Sequence, residues 1–407
     1  MLFKIDPSNK PMKTLFLLFF SLSAFCQTYT ITGSIKDTAN VPIPFANVFT
    51  AKGQGTLTNE NGEFVLKVSS LPTQIFISHV SYQTVLVQIK DETSNTIILK
   101  EGVKTLSEVK VGSYALEIVK KAIEKVNGDS IHNHFVRGFY RRIQKEGDKY
   151  TVLHEIFLNA NINGKQGISA WQPTESRYTK HDGNVDSGMA LAVTIQSCSP
   201  SPRIRFILEG EFMAVKDYSK YYSFEIENII NENTPDEIAV VSCTPRQAYE
   251  RSFTGKFYIK TSNSSILRIK GRRLGSIKGR THNFWFKLKE AYWDMNINFR
   301  EEGDVSVLTG LDLDYVMNVQ YASSVNRQIV DNMSLIMYDY SPPKNGEEKN
   351  LTIKIPTESE IFSTTQASPE FWENNPVIKR TPLQDEVIKA FEKKSKKKGG
   401  NMFSSQK

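Results

Sequence analysis

Hydrophobic and polar residues alternate with a period of two between Tyr29 and Lys100. Seven short segments rich in Ile, Val, Thr and Phe carry this alternation: ITGSIKD, ANVFTA, GTLTN, GEFVLKV, TQIFISHV, QTVLVQI and NTIILK. Alternation places the apolar side chains on one face of each strand, and turn residues separate the segments. The pattern predicts a small β-sandwich of the prealbumin or immunoglobulin type over residues 28–100. The pair Asn61-Gly62 also predicts a hairpin with a type I′ turn.

The period becomes helical between Tyr114 and Asp129. The apolar residues at helical spacing are Ala115, Ile118, Val119, Ala122, Ile123 and Val126. Ser113 is expected to cap the start of this helix, and Asn127-Gly128 is expected to end it. The helix falls in a linker over residues 101–133, and we expect it to pack against the sheet that follows.

Strands dominate again from Phe135 to about Pro356. Long runs such as FVRGFYRRI, YTVLHEIFLNANI and VLTGLDLDYVMNVQY predict a large antiparallel sheet over residues 134–365, with consecutive strands as neighbours. Such a sheet could curve into a half-barrel around an apolar cavity. A helical segment is expected over residues 366–394, with Leu383, Val387, Ile388 and Phe391 on one apolar face. The fold class is therefore mainly β.

The first 26 residues predict export. Lys10 and Lys13 precede TLFLLFFSLSAF, an apolar run too short to span a bilayer. A basic start, a short apolar run and small residues near the end are typical of a signal peptide, with cleavage before Gln27. Lipidation of Cys26, which would anchor the protein to a membrane, is the alternative.

The formal net charge of +7 is concentrated at the ends of the chain. From Lys379 onward, nine Lys and Arg residues stand against three Asp and Glu residues. The body of the chain is thus close to neutral, which argues against a nucleic-acid partner. Residues 395–407 are expected to form a disordered basic tail, and peripheral contact with the outer membrane is the functional alternative.

Three spaced elements resemble a known domain: Gly33-x-Ile35-x-Asp37, then PIPFANV, then GTLTNENGEFVL. Together they resemble the carboxypeptidase-regulatory-like domain of Bacteroidota envelope proteins. The chain departs from that pattern at Asn59, where the family commonly carries Asp. The resemblance implies a structural or interaction module without protease chemistry, which in many TonB-dependent transporters lies at the periplasmic N-terminus.

Two further segments resemble parts of such envelope proteins. LSEVKV, residues 106–111, resembles the stretch that follows this domain in TonB-dependent transporters, and a simple linker strand is the alternative. EFWENNPVIKRTPL, which begins at Glu370, resembles a closing motif of long envelope proteins. The resemblance implies a periplasmic or outer-membrane setting.

The chain carries no strong catalytic or metal-binding motif, and no cofactor is expected. Cys198 and Cys243 could form a disulfide in an oxidising compartment, or they could be two small buried residues. A metal site could include His132, His134 or His154 with Glu155, but without a recognised zinc motif. GRRLGSIKGR, which begins at Gly271, could clamp a phosphate, and a solvated hairpin loop is the alternative.

Aromatic residues supply the candidate ligand-binding set, which is Trp285, Phe286, Tyr292 and Trp293. They could form a face that binds a lipid or a glycan, or they could pack in the core of the sheet. The leading hypothesis is a non-enzymatic envelope protein whose sandwich is an interaction module and whose large domain binds a partner or an apolar ligand. An accessory component of TonB-dependent transport is the alternative, and a hydrolase with a site assembled from distant residues is the third.

Overall fold

A computed structural model gives the fold of this chain. It describes residues 28–102, 104–105, 113–128, 133–164, 166–180, 190–196, 198, 218–247, 252–275, 286–321, 325–344, 346–354, 356, 358–365, 369–375, 377, 379–380 and 382–397. The expected signal peptide, the LSEVKV segment and residues 398–407 lie outside these ranges. None of the helices within them combines the length and the apolar character needed to cross a membrane.

The first domain is the predicted β-sandwich. Its seven strands are β1 (Tyr29–Asp37), β2 (Asn47–Thr50), β3 (Gly55–Leu57), β4 (Glu63–Val68), β5 (Thr73–His79), β6 (Tyr82–Ile89) and β7 (Asn95–Leu99). They form one sheet in the order β4-β1-β7 and a second in the order β3-β2-β5-β6. Alternate apolar residues of both sheets, such as Ile31, Ile35, Val48 and Ile75, are buried between them.

The turn around Asn61-Gly62 differs from the prediction. Gly62 has a positive φ of 70°, but Asn61 has not, so the turn is not of type I′. The side chain of Asn59 organises it instead, because Asn59 Oδ1 accepts hydrogen bonds from the backbone N–H groups of Asn61 and Glu63. The turn also connects strands of different sheets, since β3 pairs with β2 whereas β4 pairs with β1.

The large sheet contains eleven described strands, all antiparallel to their neighbours. These are β8 (Lys104–Thr105), β9 (His134–Glu146), β10 (Lys149–Asn163), β11 (Gly167–Lys180), β12 (Tyr222–Ile230), β13 (Ile238–Pro245), β14 (Phe253–Lys260), β15 (Ile266–Leu274), β16 (Phe286–Glu302), β17 (Val305–Tyr321) and β18 (Asn326–Asp339). Their order is β11-β10-β9-β18-β17-β16-β15-β14-β13-β12-β8. Most neighbours are consecutive, as predicted, but β9 pairs with the last strand, β18, and β8 adds to the far edge.

Within the described ranges, five α-helices accompany the sheet: α1 (Ser113–Gly128), α2 (Ala190–Gln196), α3 (Glu358–Thr364), α4 (Pro369–Asn374) and α5 (Pro382–Lys397). The six apolar residues predicted for α1 are all buried, so its amphipathic face is confirmed. In α5, Val387 and Ile388 pack against Ile143 and Leu153 of the sheet. This helix continues to Lys397, so the first residues of the predicted disordered tail are helical.

The sandwich and the C-terminal segment cover the same face of the large sheet. Leu57 of the sandwich joins Phe139, Phe157 and Ile336 of the sheet and Trp372 of α4 in one apolar cluster. This cluster fixes the two domains against each other and leaves polar space on either side.

Candidate functional site: a polar cleft between the domains

The two faces of the large sheet have opposite character at its centre. Successive side chains of a strand point to opposite faces, so each strand contributes to both. Met295, Ile297, Leu311 and Leu313 belong to the apolar core on the side covered by α1 and α2. The alternate residues of β16, β17 and β18 are mostly polar, and they face the sandwich. Alternation within three neighbouring strands therefore builds a polar floor under the first domain.

A row of polar residues crosses this floor from strand to strand. Seven residues lie directly opposite one another on neighbouring strands from β15 to β11, in the order Lys270, Asn296, Asp312, Ser334, Arg141, Glu155 and Arg177. Directly opposite side chains in an antiparallel sheet are close enough to interact. The row thus brings together residues that are far apart in the sequence.

The part of the row from Lys270 to Arg141 lines a cavity of about 560 Å³. The sandwich forms its other wall with Pro44, Phe45 and the segment from Thr58 to Glu60, and Gln384 of α5 also contributes. The volume lies in the range of small-molecule binding pockets. No histidine is among the described residues that line this cavity. The cleft exists because the cluster around Leu57 holds the domains together beside it.

Two carboxylates dominate the centre of the cleft. Ser334 donates a hydrogen bond to Asp312 Oδ1 at 2.6 Å, and Asn332 donates to Asp314 Oδ1 at 2.7 Å. Burial, followed by the charges of Asp314 and Glu60, raises the pKa of Asp312 to about 7 against the opposing Ser334 hydrogen bond. Burial also raises the pKa of Asp314. Asp312 therefore titrates near neutral pH.

Basic residues lie next to these carboxylates in the lining of the cavity. Arg272 pairs with both carboxylate oxygens of Asp294, at 2.6 and 2.7 Å, and its guanidinium lies 3.9 Å from the ring centroid of Tyr292. Burial, together with the charges of Arg268 and Lys256, lowers the pKa of Lys270. Gly271 to Leu274 of the GRRLGSIKGR stretch therefore belong to β15 and not to a loop, whereas Ser276 to Arg280 lie outside the described residues.

The other end of the row is a closed ion cluster under the C-terminal segment. Glu155 accepts hydrogen bonds from Arg141 and Arg177, and all three side chains are buried. Burial alone would raise the pKa of Glu155, but the two guanidinium groups lower it to about 2. The Arg177 guanidinium also lies 4.4 Å from the centre of the Trp372 ring. Every charge here has a partner, so this end of the row is structural.

Asn296 lines the cleft and has one hydrogen-bond donor without a described partner. Its Oδ1 accepts a hydrogen bond from Arg268 Nε at 2.8 Å, and its side chain is buried with 8% exposure. No described group accepts a hydrogen bond from its Nδ2. A buried amide donor without a partner is unusual in a folded protein, and it identifies a place where hydrogen bonding is incomplete.

A second cavity, of about 850 Å³, lies on the far side of Phe45. Phe45 lines both cavities and has a positive φ of 61°, which is rare for a residue with a bulky side chain. His79 of the sandwich contacts Arg268 across the junction at 3.2 Å, and burial followed by the charges of Arg268 and Lys270 lowers the pKa of His79 to about 3. His79 is therefore neutral at physiological pH.

The four predicted aromatic residues do not form one described face. Trp285 and the side chain of Phe286 lie outside the described part of the structure. Trp293 stacks on Tyr315 with a centroid distance of 4.0 Å and packs against the apolar core, whereas its neighbour Tyr292 contacts Arg272 on the opposite face. A ligand-binding role for this set stays a prediction, and its two described members could not contact the same small ligand.

Cys198 and Cys243, for which a disulfide was one prediction, are both free and buried. The structure therefore contains no disulfide between them. Both belong to the apolar core, and burial raises the pKa of the Cys243 thiol. Cys198 donates to the carbonyl of Thr194 at 3.2 Å. They occupy the positions of small hydrophobic residues, which was the alternative to pairing.

The histidines do not assemble a metal site in the described residues. His132 lies outside them, and the ring of His154 packs against Phe362 at a centroid distance of 4.7 Å. Glu155, next to His154 in the sequence, points to the opposite face and is occupied by arginines.

The alternation of polar and apolar residues in three strands indicated a polar face, but the sequence-based choice of candidate site residues did not use this pattern. Asp and Asn alternate with apolar residues in DMNIN of β16 and LDLD of β17, and Asn332 and Ser334 do the same in β18. Polar residues at every second position of three long strands indicate a polar face. Their proximity became evident only with the pairing of those strands.

Comparison with known proteins identifies the first domain. Residues 31–111 match the family model of the CarboxypepD_reg-like domain, so this chain carries such a domain. The chain is 34% identical over 99 residues to the TonB-dependent receptor SusC of Bacteroides thetaiotaomicron. This similarity covers 24% of the chain and 10% of the receptor, so the chain matches about a tenth of the length of that relative.

Solved structures give weaker similarities. The complex of Pseudomonas aeruginosa MucA and MucB matches with 8% identity and a TM-score of 0.20, covering 54% of this chain and 93% of the matched chain. A LolA superfamily protein from Nitrosomonas europaea matches with 13% identity and a TM-score of 0.20, covering 55% of this chain and 94% of its own. TM-scores of this size do not define the fold of the large sheet.

Proposed function

We propose that this protein is a non-enzymatic, exported component of the cell envelope that works beside a TonB-dependent transport system. One observation carries the proposal, which is the CarboxypepD_reg-like domain at residues 31–111 with its similarity to a TonB-dependent receptor. In this role the sandwich is an interaction module, and the large sheet is the rigid body on which it is mounted. The protein resides in the periplasm or at the periphery of the outer membrane.

The way in which the sandwich is mounted supports this role. Thr56 Oγ1 donates to the carbonyl of Val377 at 2.8 Å, and Asn59 Nδ2 donates to the carbonyl of Lys379 at 3.0 Å. Lys379 in turn pairs with Glu63 at 2.7 Å. A domain fixed at one side presents its remaining surface in a constant orientation to a partner.

The outer surface of the sandwich carries apolar residues that a partner could cover. Leu86 of β6 is 52% exposed and Ile98 of β7 is 44% exposed. Single exposed apolar residues are common, but both of these lie on edge strands of the sandwich, where another chain can pair. We take β6 and β7 as the surface that contacts the receptor.

A photo-crosslinking amino acid at position 86, in cells that make the protein, tests the proposal. We expect a covalent adduct with an outer-membrane TonB-dependent receptor, identified by mass spectrometry. The matched control is the same amino acid at position 304, an exposed turn residue of the large sheet. Adducts with the receptor at both positions, or at neither, would contradict the proposal.

A hydrolase with a site assembled from distant residues was the third hypothesis, and a histidine beside a carboxylate in a cleft would have supported it. The 560 Å³ cavity contains carboxylates, but no described histidine lines it. For this cavity we propose a binding role rather than catalysis, because its polar atoms without a described partner suit a ligand held by hydrogen bonds. Charged and amide side chains line both of these cavities between the domains, which favours a polar ligand over an apolar one.

A further inference from the structure

We propose that the 560 Å³ cleft between the sandwich and the sheet binds a neutral, hydroxyl-rich molecule, which is a saccharide, either free or as part of an envelope glycan. The site goes beyond the association with a transport system and does not depend on it. Asn296, Asp312 and Asp314 would make the central contacts, and Phe45 and Pro44 would cover the ligand from the side of the sandwich.

Unused hydrogen-bonding capacity is the first reason. Asn296 Nδ2 is a buried donor that no described group accepts. Asp312 and Asp314 each use one carboxylate oxygen to accept from a neighbouring strand, and no described residue donates to the second oxygen of either. A ligand that matches the cleft must therefore bring at least two donors and one acceptor. A hydroxyl group is both donor and acceptor, so adjacent hydroxyl groups can meet all three needs.

The charge of the lining is the second reason. An anion would lie against Asp294, Asp312, Asp314 and Glu60, which all line the cavity. Burying a charge beside like charges is costly. A neutral polar ligand avoids this repulsion.

A cation is disfavoured by the basic residues of the same cavity. The lining includes three basic residues, Lys270, Arg272 and Arg141, which repel a cation. Asn296 also presents an N–H donor, and a cation has no lone pair to accept a hydrogen bond from it. The described residues also contain no group of three or more carboxylate, His or Cys side chains that could hold a metal ion. With both signs of charge interspersed, the lining favours a neutral molecule that can donate and accept.

The sandwich supplies an apolar surface to complement the polar floor. Phe45 lines the cavity with Pro44 next to it, opposite the row from Lys270 to Arg141. A saccharide ring has apolar C–H faces and a polar rim, so it could pack its face on Phe45 while its hydroxyl groups contact the carboxylates. The left-handed backbone conformation of Phe45 is held by the domain in spite of its cost, and such conformations cluster at ligand sites.

Saturation-transfer NMR and calorimetry on the purified full chain test the site. The probes are glucose, galactose, N-acetylglucosamine and cellobiose, with a core oligosaccharide released from envelope glycan as a separate arm. We expect at least one probe to bind with one-to-one stoichiometry. Binding of a simple sugar identifies a free saccharide as the ligand class, and binding of the envelope oligosaccharide alone identifies a glycan.

Two isosteric variants locate the binding. Asn296→Asp keeps the oxygen that accepts from Arg268 but replaces the unused donor, and Asp314→Asn keeps the oxygen that accepts from Asn332 but removes the charge. Each should weaken binding by about tenfold or more, because one buried hydrogen bond is lost. The matched controls Asn326→Asp and Asp304→Asn change exposed residues outside the cleft and should leave the affinity unchanged.

Three results would overturn the proposal. The first is no binding of any saccharide in either arm by protein whose circular dichroism and melting curve show that it is folded. The second is binding that both cleft variants retain at full strength. The third is displacement of the bound saccharide by inorganic phosphate or by a neutral peptide that binds more tightly, since the cleft would then be an anion or peptide site.

Discussion

The polar row across the large sheet contains two carboxylates in contrasting surroundings. Glu155 lies at the closed end, where two arginines satisfy it and lower its pKa to about 2. Asp312 lies in the cleft three strands away, where burial and neighbouring acids raise its pKa to about 7. Both belong to the same face and the same row. The two carboxylates differ in their partners, because two arginines satisfy Glu155 whereas Ser334 donates to only one oxygen of Asp312.

The largest expected effect comes from removing the charge at the closed end. Glu155→Gln leaves Arg141 and Arg177 buried without a counter-charge, which should lower the free energy of unfolding by about 3–5 kcal/mol. Chemical denaturation at pH 7 measures this loss, with the exposed Asp304→Asn as the control. Because the folded-state pKa of Glu155 lies below its ordinary value of 4.5, its contribution is present above pH 4.5 and is lost as the pH falls through about 2.

The next effect tests the apolar cluster that holds the cleft together. Leu57→Ala removes the sandwich residue that packs on Phe139, Phe157 and Ile336, and it should cost about 2–3 kcal/mol. Leu86→Ala changes a leucine of the same domain that is half exposed, so it should cost much less. Denaturation curves of the two variants make the comparison, and equal losses would show that Leu57 does not anchor the junction.

Replacing an acid by its amide should raise the free energy of unfolding in the cleft, whereas it lowers that free energy at the closed end of the row. Asp312→Asn keeps the oxygen that accepts from Ser334 and removes a charge whose folded-state pKa is raised from 3.8 to about 7. A raised pKa favours the protonated form, so the contribution of Asp312 to stability is present below pH 3.8 and is lost as the pH rises through 7. Asp312→Asn should therefore stabilise the protein more at pH 8 than at pH 5, by about 2 kcal/mol.

Melting curves of Asp312→Asn and Glu155→Gln between pH 5 and pH 8 sharpen the contrast between the two ends of the row. If both amide variants lose stability alike at pH 8, Asp312 is a structural ion like Glu155, and the distinction drawn between them is wrong.

The smallest effect concerns the departure from the family pattern at position 59. Asn59→Asp removes the donor to the carbonyl of Lys379 and places a second carboxylate beside Glu63, which should cost about 1 kcal/mol. The C-terminal segment should then be cleaved faster in limited proteolysis. Asn61→Asp, in the same turn but without these contacts, is the control, and equal cleavage of the two variants would contradict a special role for Asn59.

Local patterns predicted the local structure well. The seven strands of the sandwich and the buried face of α1 followed from the period of the apolar residues, since burial on one face requires that period. The type I′ turn was wrong because the side chain of Asn59 competes for the backbone N–H groups, an effect that the Asn-Gly pair alone does not reveal. The sequence-based candidates for the site were aromatic, whereas the cleft consists of polar residues.

The cleft was not predicted from the sequence, because it depends on the pairing of strands that are far apart along the chain. DMNIN and LDLD show a polar face on each strand, but their place opposite Ser334 and Arg141 requires β18 to lie between β17 and β9. That pairing joins strands almost 200 residues apart, and no local signal specifies it. Likewise, nothing in the sequence of the sandwich indicated that Phe45 would face this floor.

The bonds from the sandwich to the C-terminal segment join two parts of the chain that the ribosome makes at different times. Thr56 and Asn59 are made before their partners, because Val377 and Lys379 lie 321 and 320 residues later in the sequence. The sandwich can fold as soon as it emerges, because domains form in order during synthesis. Its contacts with this segment must wait until Val377 and Lys379 have been made. A chain truncated before Val377 would leave these donors and Leu57 uncovered, and proteases that survey newly made proteins would meet that surface first.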